Sequence, residues 1–170
     1  SGSLIFGALV AQNGGTLEGC INYGNVTVTQ TASASSGFYG GGLAAIGHTV
    51  LGTATATQLD IDETCRAGNF VDCENHGNLT IQCAGAAPIR SGFGGICGIV
   101  YMNGVSFTGC ENYGNVIRTD DAAKAASNNG SATVGGILGR SAAWFTTAAG
   151  DSKALDVEVN GFDTRYENCV

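Results

Sequence analysis

The chain has 170 residues, among them 28 glycines, seven cysteines and a single proline. Only 12% of the residues are charged and the formal net charge is −7, which argues against nucleic acid as a partner because phosphate binding needs clustered Lys and Arg. The 44% apolar content argues against disorder. No apolar run reaches the roughly 18 residues that a membrane span needs.

The chain opens with an apolar segment at residues 4–11, which we interpret as a strand. A secretory signal would have a basic stretch before its apolar region, and none precedes this segment. The segment also matches a half-unit found later, since Phe6-Gly7-Ala8-Leu9-Val10 aligns with Phe93-Gly94-Gly95-Ile96.

A seven-residue motif, Cys-x-Asn-(Tyr/His)-Gly-Asn-(Val/Leu), then occurs three times. It occupies residues 20–26, 73–79 and 110–116, and a fourth copy starts at Cys169. An apolar or aromatic residue lies three positions before each motif cysteine, at Leu17, Phe70, Phe107 and Tyr166. Such recurrence indicates a repeat architecture.

Each motif is followed by a predicted strand, because β-branched and alternating residues occupy 26–29, 79–82 and 116–119. The Gly and Asn of the motif are expected to turn a tight corner, since both tolerate positive φ. A glycine doublet with an aliphatic residue comes next, at 41–43, 94–96 and 135–137. It predicts a further strand with small residues at a close-packed position.

Stacking of these repeats predicts an all-β fold, a right-handed parallel β-helix (β-solenoid) of about three to four coils, as a single domain over residues 1–170. The repeat cores are placed at about 17–46, 70–100 and 107–139. The spacing from motif to doublet is nearly constant, whereas the spacing from doublet to the next motif varies. Two insertions are therefore expected at one corner, at about residues 47–66 and 140–162. An antiparallel β-sandwich is the rival fold, but it gives no reason for the same corner sequence to recur.

Stacking also predicts columns of identical side chains along the solenoid. The motif cysteines are expected to be buried, reduced thiols that act as small apolar side chains. The motif asparagines are expected to form two columns of amides that bond to each other and to the corner backbone. The members of these ladders are Cys20, Cys73, Cys110 and Cys169, then Asn22, Asn75 and Asn112, then Asn25, Asn78 and Asn115.

The other three cysteines, Cys65, Cys83 and Cys97, lie off this column, and a disulfide between Cys65 and Cys83 or another neighbour is an open alternative. No Cys-x-x-Cys pair is present, and no metal or cofactor is predicted. Neither His48 nor His76 has a Ser, Cys or Asp at a spacing that suggests a catalytic triad.

Two groups of carboxylates are interpreted as solvated acidic loops. A calcium site is the alternative for the first group. The groups are Asp60, Asp62 and Glu63, and the pair Asp120 and Asp121.

The segments Gly94-Gly95-Ile96-Cys97-Gly98 and Gly135-Gly136-Ile137-Leu138-Gly139 resemble the GLUG-type repeats of large bacterial surface proteins. The Asn-Tyr-Gly-Asn corners are similar to repeats of secreted proteins of gut bacteria. The resemblance covers most of the chain outside the two insertions, and Gly41-Gly42-Leu43-Ala44-Ala45 departs from it at the last glycine. It implies extracellular display, as in adhesins or accessory regions of surface proteases, and it carries over no catalytic residue.

Together these features predict a bacterial cell-surface or secreted protein without enzymatic activity, an adhesin-like stalk whose insertions bind a glycan or host protein. Self-assembly into head-to-tail filaments through open strand edges is the alternative. A carbohydrate-active enzyme is a third hypothesis. It is disfavoured because the carboxylates do not lie with a basic residue on a repeated strand face.

Overall fold

A computed structural model of the chain describes residues 4–30, 37–50, 66–83, 90–101, 105–120, 131–142, 144–146, 152–154 and 165–170. All regular structure in these ranges is β-strand, and none of these residues lies in a helix. The predicted all-β class is confirmed.

The strands fall into four successive units. Unit 1 holds β1 (Leu4–Gly7), β2 (Val10–Asn13), β3 (Thr16–Glu18), β4 (Ile21–Asn22) and β5 (Val26–Gln30). Unit 2 holds β6 (Phe38–Gly41), β7 (Ala44–Val50), β8 (Arg66–Ala67), β9 (Asn69–Val71), β10 (Glu74–Asn75) and β11 (Leu79–Cys83). Unit 3 holds β12 (Arg90–Gly94), β13 (Cys97–Tyr101), β14 (Ser106–Thr108), β15 (Glu111–Asn112) and β16 (Val116–Asp120). Unit 4 holds β17 (Ser131–Gly135), β18 (Leu138–Ala142), β19 (Trp144–Thr146), β20 (Ser152–Ala154) and β21 (Arg165–Glu167).

Equivalent strands of successive units pair in parallel and form five sheets. Sheet A is β1-β6-β12-β17, sheet B is β2-β7-β13-β18, sheet C is β3-β9-β14-β21, sheet D is β4-β10-β15 and sheet E is β5-β11-β16. The register places equivalent residues side by side, as with Asn22, Asn75 and Asn112 in sheet D. Parallel strands stacked in this way are consistent with a β-solenoid, and they exclude the antiparallel sandwich.

Aromatic side chains from equivalent positions stack in the core between the sheets. Phe70 and Phe107 lie face to face, with ring centroids 4.9 Å apart and 6° between the ring planes. Phe38 and Phe93 meet edge to face at 5.0 Å. All four rings are fully buried. The regular spacing of the units therefore sets the packing of the core as well as the hydrogen bonds of the sheets.

The glycine doublets form corners between sheets A and B. The first glycine of each doublet ends a strand of sheet A, as predicted, but the second lies between strands, so the predicted strand is interrupted at the corner. In unit 3, β12 ends at Gly94 and β13 begins at Cys97. A Cβ atom on Gly95 would lie 2.1 Å from the Gly136 carbonyl oxygen and 2.2 Å from Asn112 Cγ. The doublet is needed because the next unit and the motif amide approach too closely for a side chain.

The Asn-(Tyr/His)-Gly-Asn corner does not contain the expected residue with positive φ. Left-handed backbone occurs instead at the residue before each motif cysteine, which is Gly19 (59°), Asp72 (48°), Gly109 (60°) or Asn168 (52°). The motif glycine serves close approach, because a Cβ atom on Gly77 would lie 2.0 Å from the Gly24 carbonyl oxygen.

The predicted insertions lie partly outside the described residues, and their described parts leave the sheets at one corner, between sheets B and C. Strand β7 follows β13 as far as His48, and its last two residues then pair antiparallel with β8. Strand β18 follows β13 as far as Ala142, and β19 and β20 form an antiparallel pair beyond it. Sheet pairing thus continues past residues 47 and 140, where the insertions were expected to begin.

Candidate functional site

The motif corner is closed by the side chain of its first asparagine. Asn22 Oδ1 accepts a hydrogen bond from the Gly24 N–H at 2.9 Å, and Asn22 Nδ2 donates to the Gly24 carbonyl at 2.9 Å. Asn75 donates in the same way to Gly77 O at 2.9 Å. A side chain that satisfies backbone groups two residues away allows the turn without positive φ.

The same asparagines bond to each other from unit to unit. Asn22 Nδ2 donates to Asn75 Oδ1 at 2.8 Å, and Asn75 Nδ2 donates to Asn112 Oδ1 at 2.8 Å. Asn75 is fully buried. Every bond runs from the earlier unit to the later one, so the ladder has a direction.

The second asparagine column lies at the surface and runs in the opposite direction. Asn25 Oδ1 accepts from the Asn78 N–H at 2.8 Å, and Asn78 Oδ1 accepts from Asn115 through its N–H at 2.9 Å and its Nδ2 at 3.1 Å. Here the later unit donates to the earlier one. These amides link neighbouring backbones at the outer edge of the corner.

The motif cysteines form a column on the inner side of the corner. Cys73 and Cys110 are fully buried, and the equivalent Cys20 and Cys169 in the outer units are half-buried free thiols. The thiol of Cys110 donates to the Phe70 carbonyl at 3.4 Å. Cys73 and Cys169 donate in the same way to the preceding unit, at Leu17 O and Phe107 O, both 3.3 Å away.

Neighbouring thiols of this column influence each other's ionisation. The neighbouring Cys110 thiol lowers the pKa of Cys73, and the neighbouring Cys73 thiol together with burial raises the pKa of Cys110. Burial also raises the pKa of Cys20. Cys97 lies off the column, and complete burial raises its pKa to about 12. Cys97 is therefore protonated at neutral pH and unreactive as a nucleophile.

An aromatic column covers the outer side of the corner. The His76 ring lies between Tyr23 and Tyr113, with centroid distances of 4.9 and 4.6 Å and interplanar angles of 18° and 16°. His76 Nε2 lies 2.7 Å from Glu74 Oε2. The Tyr113 hydroxyl donates to Glu111, and this hydrogen bond raises the pKa of Tyr113. The corner thus presents a ridge of ring edges with carboxylates beside it.

Several candidate residues fall where the structure gives no account. Asp60, Asp62, Glu63, Cys65 and Asp121 lie outside the described residues, and so do the side chains of His48, Cys83 and Asp120. Within the part of the chain that is described, no three His, Cys, Asp or Glu side chains converge on a common metal position. The same residues include no helix long and apolar enough to cross a membrane.

Sequence reasoning missed the contact between the glycine doublet and the motif asparagine. A Cβ atom on Gly42 would lie 2.6 Å from Asn75 Cγ, and Gly95 stands in the same relation to Asn112. The nearly constant spacing between motif and doublet was the available signal. The left-handed residue had a signal too, since Gly, Asp and Asn, which precede the motif cysteines, are the types that tolerate positive φ.

Comparison with known proteins gives no match to this chain. No family model matches the sequence, and neither the curated proteins nor the solved structures include one with significant similarity.

Proposed function

We propose that the chain is a right-handed β-solenoid of three to four coils that acts as a stiff, non-catalytic stalk. It is secreted by a bacterium or displayed on its surface, and it binds a glycan or a host protein. The observation that carries this proposal is the position of the two antiparallel ribbons, β7 with β8 and β19 with β20.

Both ribbons leave the solenoid at the corner between sheets B and C, in units 2 and 4. Unit 3 passes the same corner with only residues 102–105 between β13 and β14. Stacked strands are about 4.8 Å apart, so two ribbons separated by one unit emerge about 10 Å from each other. That separation suits an extended chain, either a glycan or a peptide, held between them.

The solenoid provides a rigid base for these ribbons. Parallel sheets tie all four units together, the Asn22–Asn75–Asn112 amide ladder links units 1 to 3, and the stacked Phe70 and Phe107 rings link units 2 and 3. A site built on such a base needs little ordering when a ligand binds, and this reduces the entropic cost of binding.

Deleting the ribbons tests this proposal. Residues 49–68 and 143–164 are each replaced by a four-residue link like the one in unit 3, singly and together, and binding is measured on a glycan array and on host cells. We expect the double deletion to abolish binding while the thermal unfolding midpoint stays within a few degrees of wild type. Binding that survives the double deletion would contradict the choice of face.

Head-to-tail assembly is the second candidate function, and the parallel register of sheet A favours it. A copy added in the same orientation would pair its β1 with β17 of the first copy, in the way that β1 pairs with β6 within the chain. Electron microscopy of the purified protein should then show filaments with a single polarity. A monodisperse monomer at high concentration would rule this function out.

A further inference from the structure

We propose that Cys73 and Cys110 form a binding site for a soft divalent cation, which is held in linear coordination between the two sulfur atoms. The site lies inside the corner and is independent of the ribbons that carry the proposed function.

The two cysteines occupy equivalent positions in adjacent units. The Glu111 N–H donates to the Cys73 carbonyl at 2.9 Å, so the two backbones are one strand spacing apart. Both thiols point toward the preceding unit and donate to equivalent carbonyls, at Leu17 and Phe70. Because the side chains have the same orientation, their sulfur atoms repeat at the strand spacing of about 4.8 Å.

This spacing selects the type of coordination. A metal–thiolate bond is about 2.3 Å long, so two collinear bonds span about 4.6 Å. A disulfide needs sulfur atoms about 2.05 Å apart, and the packed core would have to let them approach by more than 2 Å. A tetrahedral site needs four convergent ligands, whereas the described residues offer no three.

The burial of the two thiols determines which ion charge the site accepts. Cys73 and Cys110 belong to an apolar cluster with Phe70, Phe107 and Leu43, and both are fully buried. A net charge in such a place is costly. Two thiols that each release a proton and bind one divalent ion give a neutral complex, with both protons passing to solvent. A monovalent ion bound by two thiolates would leave one negative charge in the core.

Thiolates select soft metals, and Hg²⁺ is the probe. It is titrated into the reduced full-length chain without oxygen, with proton release, Tm and the X-ray absorption spectrum as readouts. At one equivalent we expect two protons released per ion, two sulfur neighbours at about 2.3 Å, and a rise in Tm of about 5 °C or more. Ag⁺ should raise Tm less, because its complex is charged.

Matched variants locate the site. The C20A/C169A variant keeps both central thiols and should retain the whole effect, and so should C97A, which removes a buried cysteine off the column. The C73A/C110A variant should lose the Tm rise, and its first Hg²⁺ should bind at least about tenfold more weakly.

Three results would overturn the proposal: three or more sulfur neighbours, one sulfur with a solvent ligand, or a Tm rise that persists in C73A/C110A. If C73A/C110A does not fold, the wild-type absorption spectrum and proton count decide alone. In that case one sulfur neighbour, or one proton per ion, refutes the linear site.

Discussion

Asn75 connects three parts of the molecule through one side chain. It accepts a hydrogen bond from Asn22, donates to Asn112 and to the Gly77 carbonyl, and lies against Gly42 of its own unit. It is fully buried. A buried amide with all its groups satisfied is stabilising, but removing it leaves its partners unpaired away from water.

We expect Asn75→Ala to lower the free energy of unfolding by about 2–3 kcal/mol, because Asn22 Nδ2 and Asn112 Oδ1 each lose a partner in the interior. Urea unfolding followed by circular dichroism measures the change. The matched control is Asn115→Ala in the exposed column, which should cost about 0.5 kcal/mol or less because water replaces the lost partner. Equal losses in the two variants would show that burial of the inner ladder contributes nothing.

The buried Cys97 thiol makes the free energy of unfolding fall at alkaline pH. Its pKa is raised from 9.0 to about 12 by burial, so the unfolded chain loses this proton first as the pH rises. The contribution of the buried thiol is complete below pH 9 and is lost progressively between pH 9 and about 12. We expect the free energy of unfolding to fall less steeply with pH in Cys97→Ala. The difference between the two slopes should correspond to at most one proton released on unfolding. Parallel pH profiles for wild type and variant would contradict the burial of this thiol.

The glycine doublets form the corners that join the strands of sheet A to the strands of sheet B. In the doublet corners the second glycine contacts the next unit, and its lack of a side chain allows sheets A and B to meet. The need for glycine differs along the chain: a Cβ atom on Gly95 would overlap backbone, whereas one on Gly136 would meet nothing within 4 Å.

Gly95→Ala and Gly136→Ala form a matched pair at equivalent positions. We expect Gly95→Ala to destabilise by about 3 kcal/mol or more, because the obstructing Gly136 oxygen belongs to backbone and cannot rotate away. Gly136→Ala should change stability by less than about 1 kcal/mol. Thermal and urea unfolding of both variants measure the difference. Similar losses would mean that the doublets are required for another reason.

Burial is uneven over the whole molecule. The core side chains of units 2 and 3, such as Phe70, Phe107, Leu79 and Val100, are fully buried, whereas Leu4 and Leu9 of unit 1 are exposed by 39% and 46%. Repeat proteins gain stability from contacts between neighbouring units, and an inner unit has two neighbours.

This gradient should appear in hydrogen exchange. We expect backbone amides of β10, β13 and β14 to exchange roughly 100-fold or more slowly than those of β1 and β2, because opening unit 1 exposes less apolar surface that is buried in the folded state. Mass spectrometry of peptides after timed labelling in deuterated buffer measures the rates. Uniform protection along the chain would indicate that the units unfold as a single cooperative block.

The repeated motif by itself determined the all-β class and which residues stand side by side along the stack. Cys20, Cys73 and Cys110, or Asn22, Asn75 and Asn112, occupy one position of the motif, and pairing in register brings equivalent positions together. The tertiary structure decided what meets across the interior. The Gly95–Asn112 contact and the corner at the doublet depend on how closely the sheets approach. A linear pattern carries the period along the stack, but the distances between sheets arise only when the whole unit packs.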